Sequence, residues 1–163
     1  MQRKLLICRH AEAEDPYPLQ PDFERELTSY GSQQARDTAK WLRENFSKVD
    51  KIISSPAKRA SQTTRIIAGK LYFDEEMVNY EPDLYNAKEH QLVKVLSELP
   101  ADKTTVLLVG HNPGITKLVR ELADEMLGYL DTAQAICIQI ELESWEQIYY
   151  TTGVVFSRTG QKV

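Results

Sequence analysis

The sequence predicts an α/β protein, a three-layer α/β/α sandwich built on a mostly parallel sheet with an antiparallel edge. Three observations carry that expectation. Short apolar runs of strand length alternate with longer segments whose apolar residues recur at helical spacing, the pattern of parallel strands joined by crossover helices. A polar residue followed by proline, Ser55-Pro56 and Asn112-Pro113, stands just behind two of the apolar runs, where helices are expected to begin. Near the carboxyl end the period changes to two: Ile136, Ile138, Ile140 and Leu142 alternate with Ala135, Cys137, Gln139 and Glu141, which marks a strand with unequal faces and suits an antiparallel edge.

The first strand is expected over residues 4–8, Lys-Leu-Leu-Ile-Cys. An acidic stretch from Glu12 to Glu26 follows, broken by Pro16, Pro18 and Pro21, and reads as an exposed loop; so long a loop in a small protein is more often functional than accidental. Thr28 caps a helix whose face is Ala35, Ala39, Leu42 and Phe46. Lys51 to Ser54 form a short strand, and Ser55-Pro56 open a helix carrying Arg59 near its start and Ala60, Ile67 and Leu71 on its buried side. A weaker strand is placed at Met77 to Tyr80. Leu92, Val95, Leu96 and Leu99 then mark a helix, and residues 105–109 a buried strand. Asn112-Pro113 open a helix with Ile115, Leu118, Val119, Leu122 and Met126 on its apolar face. After the alternating strand, a further run from Gln147 to Thr152 completes a hairpin, and residues 157–163 read as a frayed tail.

The chain of 163 residues fits one domain over 1–163 and is large enough to bury a core without disulfides or metal. Its 42% hydrophobic and 27% charged content is that of an ordinary globular protein. The net charge of -4 argues against nucleic acid as a partner, which asks for a basic footprint. Residues 5–8 are too short an apolar stretch for a signal peptide or membrane span, so the expectation is a cytoplasmic protein without membrane association. Cys8 and Cys137 sit inside strand-like runs and read as small buried hydrophobes. No ligand spacing suggests a metal site, and no cofactor is expected.

The chemistry lies where the strands run out. Cys8-Arg9-His10-Ala11 and Gly110-His111-Asn112-Pro113-Gly114 each put a histidine just past an apolar strand, and the crevice beyond the carboxyl ends of the strands is where open α/β sheets bind ligands. Transferring a phosphoryl group takes a nucleophile in line with the leaving group and positive donors around the equatorial oxygens. Arg9, Arg59 and His111 can supply the donors, Arg59 and His111 with the help of helix amino termini that favour anions. His10 can then attack phosphorus as a neutral imidazole, splitting one hard displacement into two easier ones. Two histidines and a carboxylate could instead hold zinc, but arginines beside the site would repel a cation. A phosphate-sensing module without catalysis is the alternative of another class.

Arg9-His10-Ala11 at a strand end, Ser55-Pro56-Ala57-Lys58-Arg59-Ala60-Ser61-Gln62-Thr63 opening a helix, and Gly110-His111-Asn112-Pro113 after a late strand together resemble the histidine phosphatase (phosphoglycerate-mutase-like) superfamily. Within it the chain looks most like the small phosphohistidine phosphatase branch, over roughly residues 4–152. The resemblance implies a phosphoglycerate-mutase-like fold and a metal-independent phosphatase with a phosphohistidine intermediate. By it, His10 is the phosphorylated nucleophile, and Arg9, Arg59 and His111 complete the phosphate pocket. Arg25, in Arg25-Glu26-Leu27-Thr28, and Asn112 join Arg9, Arg59 and His111 in binding substrate. The family's proton-donating carboxylate falls on Asp83, with Glu81 as the second choice, in Glu81-Pro82-Asp83-Leu84-Tyr85.

Two features depart from the commonest family pattern. Ala11 stands where glycine is usual after the histidine, a variant the small branch shares, and the acid segment offers an aspartate where glutamate is usual. Larger members build a lid over small metabolites from long insertions, for which this chain has little spare length. The expected substrate is therefore a phosphorylated side chain on another protein, phosphohistidine first, with inorganic phosphate as product; small phosphomonoesters are the alternative.

Overall fold

The computed structural model describes residues 1–159. Its core is a six-stranded sheet in the order β3-β2-β4-β1-β5-β6. β1 (Gln2–Arg9), β2 (Lys51–Ser54), β3 (Asn79–Tyr80) and β4 (Thr105–Gly110) run parallel, whereas β5 (Ala135–Glu141) pairs antiparallel with β1 and β6 (Val154–Arg158) antiparallel with β5. This is the α/β/α sandwich with the antiparallel edge that the sequence predicts.

Strand alternation sorts the core into two layers. Leu6, Cys8, Ile52, Leu107, Val109 and Cys137 face one side, where they pack against Ala39 and Leu42 of α1 (Ser29–Asn45) and Ala60, Ile67 and Ala68 of α2 (Lys58–Lys70). Leu5, Ile7, Ile53, Val106, Leu108 and Ile138 face the other side, against Leu92 and Leu96 of α3 (Glu89–Ser97) and Ile115, Leu118, Val119 and Leu122 of α4 (Gly114–Ala123). Both cysteines are fully buried free thiols, pushed up to about 12 by that burial. Arg3 is buried beside Trp145 and satisfied by backbone carbonyls: its Nε donates to Leu142, Nη1 to Ala101 and Lys103, and Nη2 to Glu143.

Several boundaries differ from expectation for local reasons. The Thr28 hydroxyl caps α1 by accepting from the Gly31 amide at 2.8 Å, and a Cβ on Gly31 would lie 2.1 Å from the Glu12 carbonyl oxygen, so glycine lets α1 close onto the loop. Ser55 is not the N-cap of α2: its backbone continues the strand by donating to Val109 at 3.0 Å, and the helix starts at Lys58. In the same way Pro113 precedes α4, while Asn112 turns its amide to the Leu130 carbonyl and the Thr116 hydroxyl. α4 stops at Ala123, where Asp124 turns left-handed (φ 47°), so Met126 is exposed rather than on the buried face. The segment placed as a strand at Gln147 to Thr152 holds a 3-10 helix, Trp145–Tyr149, because Trp145 and Ile148 must both turn inward; the returning strand is β6. Ser157 and Arg158 belong to that strand and are not frayed, and residues 160–163 of the expected tail lie outside the described residues.

Candidate active site

The pairing of β1 with β4 builds the site. Arg9 lies opposite Gly110 in a parallel register, so the next residues, His10 and His111, leave the sheet at the same end with ring centroids 5.1 Å apart. The His10 backbone is fixed on both sides: its amide donates to Gly110 at 3.1 Å and its carbonyl accepts from Ala133 at 3.0 Å. Thr63 of α2 secures the turn, accepting from the Ala11 amide at 3.0 Å and donating to the Arg59 carbonyl at 2.8 Å.

The His10 Nδ1 lies 2.7 Å from the Ala11 carbonyl oxygen. A carbonyl only accepts, so the ring proton sits on Nδ1 and Nε2 keeps its lone pair. Burial, reinforced by the charges of Arg59, Arg9 and Arg25, lowers the His10 pKa to about 4. His111 is lowered to about 3 by burial, with His10 and Arg59 beside it. Both rings are therefore neutral near pH 7.

Around them lies a cavity of about 300 Å³ lined by Arg9, His10, Glu12, Arg25, Arg59 and His111, with Asn112 at its wall. Arg59 is the second residue of α2, so its guanidinium and the helix amino terminus favour an anion together. Its Nη1 and Nη2 hold Asp22, donating to the backbone oxygen at 2.8 Å and to Oδ2 at 2.9 Å. Arg25 donates from Nη1 to Asp22 Oδ1 at 3.0 Å, and the Tyr85 hydroxyl donates to Asp22 Oδ2 at 2.6 Å. Tyr85, Arg25 and Arg59 hold the Asp22 carboxyl well below the usual carboxylate range, so it stays an anion.

The structure thus brings Arg9, His10, Arg25, Arg59, His111 and Asn112 together. It does not bring Asp83 or Glu81 to them: both line a separate groove of about 460 Å³ with Lys51, Asn79 and Lys94. From the same segment it is Tyr85 that reaches the site, its ring edge-on to His111 at 5.7 Å. The polar atoms of Asn112 are engaged with Leu130 and Thr116. Asp22, Tyr85, Thr63 and Glu12 are site residues that sequence reasoning passed over. Asp22 carried a signal, an acid three residues before Arg25 in the proline-bounded loop; the others are recognisable only from the packing.

The lowered histidines make a pH prediction. A group that binds its proton more weakly folded than unfolded adds stability above its unfolded pKa and loses that contribution as pH falls. In phosphate-free buffer, stability should therefore decline from pH 6.5 toward about 4, and the decline should be shallower in His10→Asn. Thermal melts across that range check this, together with an NMR titration of the His10 ring; protonation of His10 near 6.5 would contradict the burial assigned to it.

Comparison with known proteins gives the same family as the motifs. The model of the histidine phosphatase superfamily (branch 1) matches residues 5–88. A Haemophilus influenzae protein named as a phosphohistidine phosphatase SixA homolog is 32% identical over 128 residues, covering 72% of this chain and 76% of its own length. The fold is shared with the protein histidine phosphatase SixA complexed with tungstate, at a TM-score of 0.81 and 23% identity over 95% of both chains. It is shared more distantly with a mycobacterial glucosyl-3-phosphoglycerate phosphatase, at a TM-score of 0.66 and 17% identity over 95% of this chain and 97% of that one. With its histidines at adjacent strand ends and its family model matched over half its length, the chain belongs to branch 1 of the histidine phosphatase superfamily and is a phosphatase.

Proposed function

We propose that this phosphatase works without a metal, through a phosphohistidine on His10, and removes phosphate from phosphohistidine on a protein in the cytoplasm. The observation that carries the reading is the His10 ring: neutral, protonated on Nδ1 by its bond to Ala11, and presenting Nε2 beside Arg9, Arg59 and His111. The Nε2 lone pair attacks phosphorus in line with the leaving nitrogen; the N–P bond to His10 forms as the bond to the substrate imidazole breaks. Arg9, Arg25, Arg59 and His111 hold the equatorial oxygens as charge shifts. Water then attacks the phosphoenzyme, releasing inorganic phosphate and returning the electron pair to Nε2. The three guanidinium groups oppose a bound metal cation at the same place.

The choice of substrate rests on the leaving group. Neither Asp83 nor Glu81 lines the His10 cavity, and Glu12, the carboxyl-bearing residue that does, is engaged by the Thr28 hydroxyl at 3.3 Å; an alkyl phosphate needs a proton on its departing oxygen, whereas a phosphohistidine leaves as neutral imidazole once its ring is protonated. The SixA homolog name of the Haemophilus influenzae relative favours the same substrate. The test is turnover of a phosphohistidine-bearing protein against a panel of sugar phosphates and phosphoglycerates. A preference for the phosphoprotein of well over tenfold is expected; parity would assign the enzyme to small phosphomonoesters. Asp83→Asn should leave phosphohistidine turnover within about twofold, as for a surface change away from the chemistry, and a large loss on alkyl phosphates would return the acid role to Asp83.

A further inference from the structure

We propose that Ser55 is a positioning residue that fixes the tautomer of His111, so that His111 meets the phosphoryl group with an N–H from Nδ1 rather than a lone pair. The inference rests on the reading of His111 as a phosphate donor. Ser55 is completely buried behind β2, and β2 lies beside β4 with Ser54 opposite Val109, which puts the hydroxyl next to the residue that follows Gly110. Its Oγ is 2.7 Å from His111 Nε2 and accepts from the Ala57 amide at 3.2 Å.

Donor counting decides the direction of the bond. The Ala57 N–H already points at Oγ, and among the described residues the only other group against that oxygen is the His111 nitrogen. The serine proton therefore goes to His111 Nε2, which must accept, and the single proton of the neutral ring is left on Nδ1. Nδ1 is buried without a hydrogen-bond partner among the described residues, on a ring that lines the catalytic cavity. An unpaired buried donor is costly unless a ligand completes it, and a phosphoryl oxygen in this cavity is such a ligand. Free neutral histidine prefers the other tautomer, with the proton on Nε2; that form would turn a lone pair toward the anion and repel it. The serine thus selects the competent form in advance. Ser55 is held by its backbone bond to Val109 at 3.0 Å, so the hydroxyl is aimed by the sheet and not by a mobile loop.

Nitrogen-15 NMR of the histidine rings near pH 7 reads the tautomer directly, with the exposed His90 removed by substitution to simplify assignment. The expected result is His111 protonated on Nδ1 in the wild-type enzyme, and a shift toward Nε2 protonation in Ser55→Ala with about a tenfold loss in both tungstate affinity and kcat/KM, the scale of one hydrogen bond. Wild-type His111 protonated on Nε2 would overturn the proposal whatever the activity, and so would an Nδ1 proton that persists unchanged in Ser55→Ala. If the variant does not fold, the wild-type spectrum alone decides. An Nδ1 proton in an enzyme that proves inactive on every phosphorylated substrate would leave the tautomer standing and remove the functional reading instead.

Discussion

Replacing His10 with alanine is expected to cost on the order of a thousandfold or more in turnover, the scale of deleting a nucleophile, while the protein stays folded. The substitution removes the attacking Nε2 and nothing in the core layers, to which His10 does not belong. The backbone bonds of residue 10 to Gly110 and Ala133 remain possible, so the strand end keeps its place. The neutral ring also occupies a site that disfavours its own protonation, so its removal should raise relative stability at acid pH. Turnover measured beside a thermal melt checks both parts. A loss of less than tenfold would show that another group attacks phosphorus.

Arg59→Ala should cost roughly 3 kcal/mol of transition-state stabilisation, the value of a preorganised donor to developing negative charge. Two losses combine in it. The pocket gives up the guanidinium that stands at the amino end of α2, and Asp22 gives up the bonds to its backbone oxygen and to Oδ2, keeping its bond to Tyr85 from outside the 12–26 loop and its bond to Arg25 within it. Lysine at this position should rescue little, because a point charge cannot span both Asp22 oxygens and a phosphoryl oxygen as a planar fork does. Tungstate binding and kcat/KM should fall together. Full tungstate affinity in Arg59→Ala would place the anion elsewhere.

The fold and the site were unequally legible. Periodicity sufficed for the long parallel strands and for the helix faces apart from Met126, which lies beyond the end of α4, since a strand such as residues 105–109 is buried on both sides whatever its neighbours do; of the strand expected at Met77 to Tyr80 only Asn79–Tyr80 pairs. It misplaced the last strand because Gln147 to Thr152 alternates only weakly, and the inward turn of Trp145 and Ile148 depends on a core the sequence does not display. His10 and His111 stood out because a histidine at the end of an apolar strand has one place to go in an α/β sheet. The Ser55-Pro56 pair predicts only a helix start; that Ser55 reaches His111 follows from β2 lying beside β4, a long-range fact. Asp83 shows the converse. Its segment does approach the site, but a 3-10 turn over Pro82–Leu84 sends Tyr85 inward and leaves Asp83 on the outer groove.

In the proposed reaction the phosphoryl group passes through a covalent bond to His10. Rapid quenching of the wild-type enzyme during turnover of a phosphorus-32 substrate, followed by mapping of the labelled peptide, tests it most directly. The expected label is lost in acid, survives base and maps to Nε2 of His10. Label that survives acid, or that maps to a serine, aspartate or cysteine, would contradict it.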